Sequence, residues 1–282
     1  MQITNEMIKN LREKTGAGMM DCKRALEAVG GDMNAAIEHL RKKGAAVSAK
    51  RSDRAAKEGM IVTRVTPNGK TGVVVEVNCE TDFVGRSDDF VAFSNAVAET
   101  IEANLPTNTE ALMALTAKGK KISEHLNDLL AKVGEKIEVR RFAIVDSPDG
   151  TVSAYTHLGH KIGVLVELAG LSADAVASGA GRDVAMQVAA MSPSVIKREQ
   201  IDAESIEREL DIYRTQAKNE GKKAEIVDKI AQGRLEKYYQ EVVLLEQTFI
   251  KDSGKTIKDF LAGLGPVTVK RFQRYHLGEE LK

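Results

Sequence analysis

Apolar residues recur at helical spacing in three short segments within residues 1–44. Thr4 and Asp32 are suited to cap the first and third helices, and Gly16, Gly30 and Gly44 provide stop signals. The predicted apolar positions are Met7, Ile8 and Leu11 in the first helix, Met20, Cys22, Ala25, Leu26 and Val29 in the second (about 19–28), and Met33, Ala36, Ile37 and Leu40 in the third. Three helices this short leave no room for a pocket, so the pattern favours a docking module.

From about residue 58 the apolar pattern becomes that of strands. Segments 60–66 and 70–77, joined by Pro67-Asn68-Gly69, predict a β-hairpin. Two helices, 90–103 and about 122–132, and a strand at 136–145 are predicted to follow. The first of these helices carries its apolar face on Phe90, Phe93, Val97 and Ile101.

A second hairpin, predicted at 151–157 and 161–168, repeats the first. The run GVLVEL from Gly163 aligns with GVVVEV from Gly72, which suggests an internal duplication of a hairpin-plus-helix unit. The first copy continues with NCETDFV and the second with AGLSADAV. The shared residues predict a scaffold, and the Asp82-Phe83 pair is present in one copy only.

The last third of the chain is mostly helical in pattern. Residues 193–245 predict a charged helical hairpin with a break at Glu220-Gly221, followed by a short helix at 255–264 and a strand at 267–276. The fold class is therefore predicted to be α+β with antiparallel sheets. The predicted domains are residues 1–54 (docking domain and basic linker), 55–140 (core N-subdomain) and 141–282 (core C-subdomain, with the hairpin inserted at about 193–240).

Composition narrows the possible partners. The 282 residues contain 41 Lys plus Arg and 41 Asp plus Glu, so no net charge steers the molecule to nucleic acid or to an anionic membrane. No apolar run is long enough to span a membrane, and the N-terminal residues resemble neither a signal peptide nor a transit peptide. Two cysteines without a CxxC pair fit a reducing compartment, so we expect a cytoplasmic location.

A local excess of positive charge spans residues 41–57. It contains Arg41, Lys42, Lys43, Lys50, Arg51, Arg54 and Lys57 against a single acid, Asp53. The favoured interpretation is a solvated linker or helix face, because a nucleic-acid tail is usually denser and carries aromatic residues. The alternative is an RNA-binding translation accessory protein that uses this segment.

No set of residues predicts bond chemistry. Ser253-Gly254-Lys255-Thr256 imitates the end of a P-loop, but Phe249 stands where the earlier glycine is needed. His157 and His160 have no local carboxylate or thiolate to complete a zinc site. Cys79 ends an apolar strand, where a free cysteine is usually a small buried hydrophobe. We expect no catalytic residue, no metal site and no cofactor.

The acidic segment after the second strand remains unexplained. Glu80, Asp82, Asp88 and Asp89 outnumber the single Arg86, and Phe83 lies among them. Phe83 either packs back onto its own core or is presented to a partner. In the second case it could enter an apolar cleft while Asp82 disturbs a cation or its ligands.

Two motifs carry a resemblance to a known family. LREKTGAGMMDCKRAL, from Leu11, and VNCETDFV, from Val77, closely resemble bacterial translation elongation factor Ts. Supporting matches across the chain are GEKI from Gly134, HKIGVL from His160, GRL from Gly233 and LLEQ from Leu244.

The resemblance implies a ubiquitin-associated-like three-helix domain, two related α+β subdomains and an inserted helical hairpin. The implied activity is guanine-nucleotide exchange on elongation factor Tu, without enzymatic chemistry of its own. The segment Thr81, Asp82, Phe83 and Val84, hereafter the tip, is implied to enter the partner's nucleotide domain and dislodge the magnesium ion that holds GDP. Candidate further partner contacts are His157, Met19 and Met20.

Two departures from the family pattern qualify this picture. The chain stops at Gly278-Glu279-Glu280-Leu281-Lys282, whereas some members continue into a C-terminal helix that contacts the partner. Thr248 stands where many members have proline. The sequence leaves open whether the helical hairpin or a sheet edge pairs two copies, as a homodimer or a 2:2 complex.

Overall fold

The computed structural model describes residues 3–50 and 54–281, except for the side chains of residues 44–50. It contains antiparallel sheets and segregated helices, so the α+β fold class is confirmed. The helices are α1 (Asn5–Thr15), α2 (Met19–Ala28), α3 (Met33–Lys50), α4 (Asp82–Gly85), α5 (Asp88–Asn104), α6 (Thr109–Ala114), α7 (Ile122–Val133), α8 (Ala173–Ala177), α9 (Ala180–Met191), α10 (Ala203–Asn219), α11 (Ala224–Val242) and α12 (Ile257–Ala262). The strands are β1 (Glu58–Val65), β2 (Thr71–Cys79), β3 (Thr116–Ala117), β4 (Lys120–Lys121), β5 (Ile137–Asp146), β6 (Thr151–Thr156), β7 (Ile162–Ala169), β8 (Thr248–Phe249), β9 (Asp252–Thr256) and β10 (Thr268–His276).

The three N-terminal helices form around a small apolar core that includes Ile8, Leu11 and Leu26. Thr4 caps α1 and Gly16 ends it in a left-handed conformation, as predicted. The predicted end of the third helix at Gly44 is wrong, because α3 continues to Lys50. One glycine costs a helix only about 1 kcal/mol, and the Ala-rich residues that follow favour the helix.

The first sheet has the strand order β1-β2-β5, and α5 and α7 cover one of its faces. The predicted end of the second strand at Val77 is wrong, because Asn78 and Cys79 also belong to β2. Both residues are paired on two sides, and Cys79 lies opposite Glu58 on one side and Ile137 on the other. The acidic loop is therefore shorter than the sequence suggests.

The second sheet repeats this arrangement with the order β10-β7-β6. In each sheet the second strand of a hairpin lies in the centre and pairs with a strand from further along the chain. Each central strand carries a glutamate opposite an arginine, Glu76 opposite Arg141 and Glu167 opposite Arg271, with a bulge at or beside that pair.

Strand β5 runs across the predicted subdomain boundary at 140/141 and pairs with β2 along nearly its whole length. A boundary within it would divide one strand between two domains. We therefore propose to place that boundary after Asp146.

The helical hairpin consists of α10 and α11, which pack through Leu210, Ala231, Leu235 and Tyr239. It is shorter than the predicted helical segment 193–245. Val195 instead forms a parallel bridge with Val243, and residues 198–200 form a 3-10 turn. This bridge ties the base of the hairpin together. The β8–β9 hairpin that follows was not predicted.

The two sheets pack face to face around Ile61, Val74, Val152 and Leu165. Two glycines permit the close approach. A Cβ atom on Gly163 would lie 2.4 Å from Cγ2 of Ile61, and one on Gly72 would lie 2.5 Å from Cγ1 of Val152. These neighbours are β-branched and buried, so they have little freedom to move aside.

We expect Gly163→Ala to lower the free energy of unfolding by about 1–3 kcal/mol, the usual cost of overpacking a core. Urea unfolding followed by circular dichroism measures this change. Gly233→Ala is the matched control, because beyond its chain neighbours and the backbone of α11 itself no atom lies within 4 Å of the added methyl group. This control should be neutral or stabilising, since alanine favours a helix. Equal stabilities of the Gly163→Ala variant and the parent would contradict the packing argument.

A charged cluster joins the first sheet to the end of the second. The fully buried carboxylate of Glu76 accepts hydrogen bonds from Arg140 at 3.0 Å, from Arg141 at 2.6 Å and from the backbone N–H of Gly278 at 2.8 Å. Arg141 also lies 3.9 Å from the centre of the Tyr275 ring. The end of β10 and the residues that follow it are thereby fixed to β2 and β5.

The three-helix domain packs on the core through α3 and α7. Arg41 and Asp128 approach to 3.4 Å across this contact. A Cβ atom on Gly16 would lie 2.9 Å from Cδ of Lys132, which shows how closely the end of α1 approaches α7.

Candidate partner interface

The tip follows β2 directly and forms the start of the one-turn helix α4. Thr81 caps this helix, and Phe83 lies on its outer side with 84% of its surface exposed. Exposure of a large aromatic ring to this degree is unusual, because phenylalanine is among the residues most often buried. Of the two interpretations left open by the sequence, packing of Phe83 onto its own core is wrong.

The underside of α4 lies directly on the first sheet. A Cβ atom on Gly85 would lie 3.3 Å from Cα of Gly59 and 3.4 Å from Sγ of Cys79, so only a residue without a side chain fits this contact comfortably. Gly59 itself has φ +128°, a conformation that favours glycine. Val84 packs partly against the core below. The outward position of Phe83 follows from this seating of its neighbours.

Thr81 holds the entry to α4. Its backbone N–H donates to Oε2 of Glu135 at 3.0 Å, and its hydroxyl donates to Oε1 of the same carboxylate at 2.7 Å. Its carbonyl accepts from Sγ of Cys79 and from the N–H of Gly85, both at 3.1 Å. Every polar group of Thr81 therefore has a partner.

Cys79 is a packing residue at the joint between β2 and the tip. Its side chain is completely buried, and burial, with a smaller contribution from the charge of Glu135, raises the pKa of the thiol to about 12. A thiol with this pKa holds almost no thiolate near neutral pH, so it is not a nucleophile.

Asp82 lies beside Phe83 and forms an ion pair with Arg86 at 3.1 Å. Arg86 is largely exposed and Asp82 about half exposed, and surface pairs of this kind contribute little stability, typically about 0–1 kcal/mol. The carboxylate of Asp82 can therefore exchange Arg86 for another partner at little cost.

The β6–β7 turn, residues 157–161, lies across a cleft of about 350 Å³ from the tip. Asp82 and Arg86 line one side of this cleft, and His160 and Lys161 line the other. The carbonyl of His160 accepts a hydrogen bond of 2.7 Å from the N–H of Ile61, which fixes the turn to β1.

His157 is exposed in this turn, and its Nδ1 is hydrogen-bonded to the hydroxyl of Tyr155 at 2.9 Å. The structure thus brings the turn that holds His157 to the same cleft as the tip. Leu158 follows it with 89% of its surface exposed, the largest exposed fraction of any large apolar side chain in residues 3–43 and 54–281.

Met19 and Met20 begin α2, on the separate three-helix domain, with 57% and 60% of their surfaces exposed. Met20 is one of the apolar positions predicted for the second helix, but it lies outside the core of that domain. The core is filled by Cys22, Ala25 and Leu26 instead. Both methionines are apolar, flexible and accessible, which suits a contact surface.

The described residues contain no group of three or more His, Cys, Asp or Glu side chains placed to hold a metal ion. The segment that imitates a P-loop lies in β9, where Lys255 pairs with Asp252 and Thr256 caps α12. Its side chains are thus engaged locally. In the part of the chain with assigned structure, no helix is long and apolar enough to cross a membrane.

Two residues of this region were missed by sequence reasoning. Leu158 had a detectable signal, because a leucine beside a glycine between two predicted strands occupies a turn, where apolar residues are uncommon. Glu135 lies within the matching run GEKI, but nothing in that run indicates its contact with Thr81, which joins positions far apart in the chain.

Comparisons with known proteins bear on the same residues. The family model described as "Elongation factor TS" matches residues 80–279. A protein named elongation factor Ts from Chloroherpeton thalassium is 46% identical over 288 residues, covering 99% of both chains. Proteins of that name from Chlorobium phaeobacteroides (47% identical; 98% of this chain and 99% of the relative) and Pelodictyon phaeoclathratiforme (49%; 92% and 91%) are similar.

Proposed function

Because this chain belongs to the elongation factor Ts family of translation factors, we propose that it is a guanine-nucleotide exchange factor for elongation factor Tu. In this proposal it binds the GDP-bound partner, displaces the magnesium ion and promotes release of GDP. The protein forms and breaks no covalent bond, and it needs no cofactor. It acts in the cytoplasm, where elongation takes place.

The observation that supports this proposal most directly is the exposed Phe83 on a firmly seated helical turn. Because contacts of Thr81 and Gly85 already order the backbone of this turn, covering the ring costs little backbone entropy, and more of its burial energy remains for binding. Asp82, on the same turn, brings a carboxylate to the same point of contact. A partner with a cation site beside an apolar cleft would therefore meet the Phe83 ring at the cleft and the Asp82 carboxylate at the cation.

Exchange requires only differential affinity. A factor that binds the nucleotide-free partner more tightly than the GDP-bound partner must weaken GDP binding by the same ratio. Each tenfold step in this ratio corresponds to about 1.4 kcal/mol. Burial of Phe83 alone can contribute about 1.5–3 kcal/mol. Displacement of magnesium would add to this, because the ion is a large local charge at the phosphates.

We further propose that Met19 and Met20 dock the three-helix domain on the same partner and that His157 contacts it from the β6–β7 turn. The exposure of all three side chains supports this proposal.

We also propose that the three-helix domain is ubiquitin-associated-like. The two sheets with their helices would then be related subdomains of about 55–146 and 147–281.

The RNA-binding alternative relies on the positive charges in residues 41–57. Arg41, Lys42 and Lys43 each have a carboxylate partner, and Arg54 pairs with Glu80 at 3.0 Å. Surface ion pairs of this kind contribute little stability, so they do not decide against binding of phosphate groups. We do not favour this alternative because the chain has 41 basic and 41 acidic residues and therefore no net charge that would draw it to RNA. Weakening of RNA binding with rising salt would be its signature.

The proposed function predicts that this protein accelerates release of fluorescently labelled GDP from elongation factor Tu in stopped-flow measurements. The acceleration should saturate with the concentration of the factor, because release proceeds through a ternary complex. Excess magnesium should oppose it, since the tip and the ion compete. A release rate that does not depend on the factor would refute the proposal.

A further inference from the structure

We propose that Glu135 is a positioning residue for nucleotide exchange, acting through Thr81 on the orientation of Asp82 and Phe83. This inference rests on the proposed function. Glu135 lies outside the tip, in the loop between α7 and β5. In this proposal it does not contact the partner and acts only through Thr81.

Helix α4 is too short to be stable by itself. A helix of four residues has too few hydrogen bonds to offset the entropy of its own nucleation. Its orientation must therefore come from the contacts that hold its two ends. Gly85 rests on Gly59 at the C-terminal end, and Thr81 holds the N-terminal end.

The carboxylate of Glu135 orients Thr81 through two hydrogen bonds. Both of its donors reach the same carboxylate, at 3.0 Å from the backbone N and 2.7 Å from Oγ1. Because the hydroxyl proton points to Glu135, an oxygen lone pair remains free to accept from the N–H of Val84, at 3.4 Å. The carboxylate thus orients the cap that starts α4. Its negative charge strengthens both hydrogen bonds.

Glu135 is itself anchored by the residues on either side of it. Gly134 ends α7 in a left-handed conformation, with φ 71°, and turns the chain toward the tip. The next residue, Lys136, donates its backbone N–H to Oε1 of Glu80 at 2.7 Å. Residues 80–81 and 135–136 are thereby linked in both directions. Glu135 is thereby held with its carboxylate at the base of the tip.

Substitution of Glu135 by glutamine keeps the shape of the side chain but removes the charge and one acceptor. We expect Glu135→Gln to lower the maximal rate of GDP release about tenfold, the factor that corresponds to about 1.4 kcal/mol, within the range of a lost helix cap. The factor concentration at half-maximal rate should change much less, because the other contacts stay in place.

A double-substitution cycle tests whether Glu135 acts through Thr81. Thr81→Val removes the hydroxyl, and its combination with Glu135→Gln should cost far less than the product of the two single effects. In a Thr81→Ser background, which keeps the hydroxyl, Glu135→Gln should lower the rate by the same factor as it does in the parent. Independent effects of the two substitutions would overturn the inference.

Two matched controls separate positioning from general loss of structure. Glu102→Gln removes another half-buried carboxylate of the first sheet's subdomain, which accepts from Nε of Arg64 at 2.7 Å. Ser172→Ala removes the cap of α8, whose hydroxyl accepts from the N–H of Ala175 at 3.2 Å. Neither should change the rate of GDP release.

Amide hydrogen exchange gives a readout that does not depend on nucleotide exchange. The N–H groups of Val84 and Gly85 should exchange faster in Glu135→Gln than in the parent, with equal protection in α5. Unchanged protection at both amides in Glu135→Gln would overturn the inference even if GDP release were slower. If the parent does not accelerate GDP release while Glu135→Gln still loses this protection, the proposed function is refuted and the positioning of the tip by Glu135 stands.

Discussion

Replacing both Asp82 and Phe83 by alanine should remove most of the acceleration of GDP release by this protein. Phe83 is largely exposed in the free molecule and gains its apolar burial only in the complex. Loss of about 1.5–3 kcal/mol from the ring corresponds to a rate loss of roughly tenfold to a hundredfold. Loss of the Asp82 carboxylate should add to this if it acts at the magnesium site.

The same variant should keep the stability of the parent. Substitutions of exposed residues away from caps and cores usually change the free energy of unfolding by no more than about 0.5 kcal/mol. The stopped-flow rate and the thermal midpoint, measured on one preparation, therefore separate a contact residue from a folding residue. A double variant with the full rate would exclude the proposed role of the tip.

The second sheet offers a matched control. Helix α8 is also a single short turn after a central strand, capped by Ser172, and its exposed residue is Val176. Replacing Asp174 and Val176 by alanine removes one acid and one exposed apolar side chain from the corresponding place. We expect this control to release GDP at the parent rate.

Removal of the buried carboxylate of Glu76 should strongly destabilise this protein. Glu76→Ala leaves Arg140, Arg141 and the N–H of Gly278 without their shared acceptor. Breaking a buried ion pair by removing one partner typically costs about 3–5 kcal/mol. Urea unfolding at neutral pH measures this loss, and a cost below about 1 kcal/mol would show that the cluster behaves like a surface ion pair.

The stabilisation by Glu76 should depend on pH. Burial alone would raise the pKa of this carboxyl group, but the N–H of Gly278 and the two guanidinium groups outweigh burial and lower the pKa below its ordinary value of 4.5. A group with a lowered pKa in the folded state stabilises the protein above the unfolded pKa. The difference in stability between the parent and Glu76→Gln should thus be full at neutral pH. It should shrink as the pH falls through the lowered pKa.

Glu167 is the control for this prediction. It occupies the corresponding position in β7 and pairs with Arg271 at 2.6 Å, but Arg271 is half exposed. Solvent screens such a pair and can replace either partner. Glu167→Gln should therefore cost about 1 kcal/mol or less and show a weaker pH dependence.

The sequence was a good guide wherever local signals agree with packing. Thr4 and Gly16 bound α1 because capping depends on neighbours a few residues away. The apolar face of α5, from Phe90 to Ile101, is buried as its spacing predicts. The prediction was wrong at Gly44 and at Asn78-Cys79, where helix propensity and strand pairing outweigh the local stop signals.

What the sequence determined by itself is the α+β class, the main strands and helices, the family and the identity of the tip. Each of these follows from residue spacing or from a continuous motif. Only the tertiary structure decided where Phe83 points, because that depends on Gly85 meeting Gly59 and on Glu135 meeting Thr81. These contacts join residues about 26 and 54 positions apart, and no local pattern encodes which distant side chain will arrive. The position of the β6–β7 turn beside the tip also depends on contacts between residues far apart in the chain, so the sequence did not predict it.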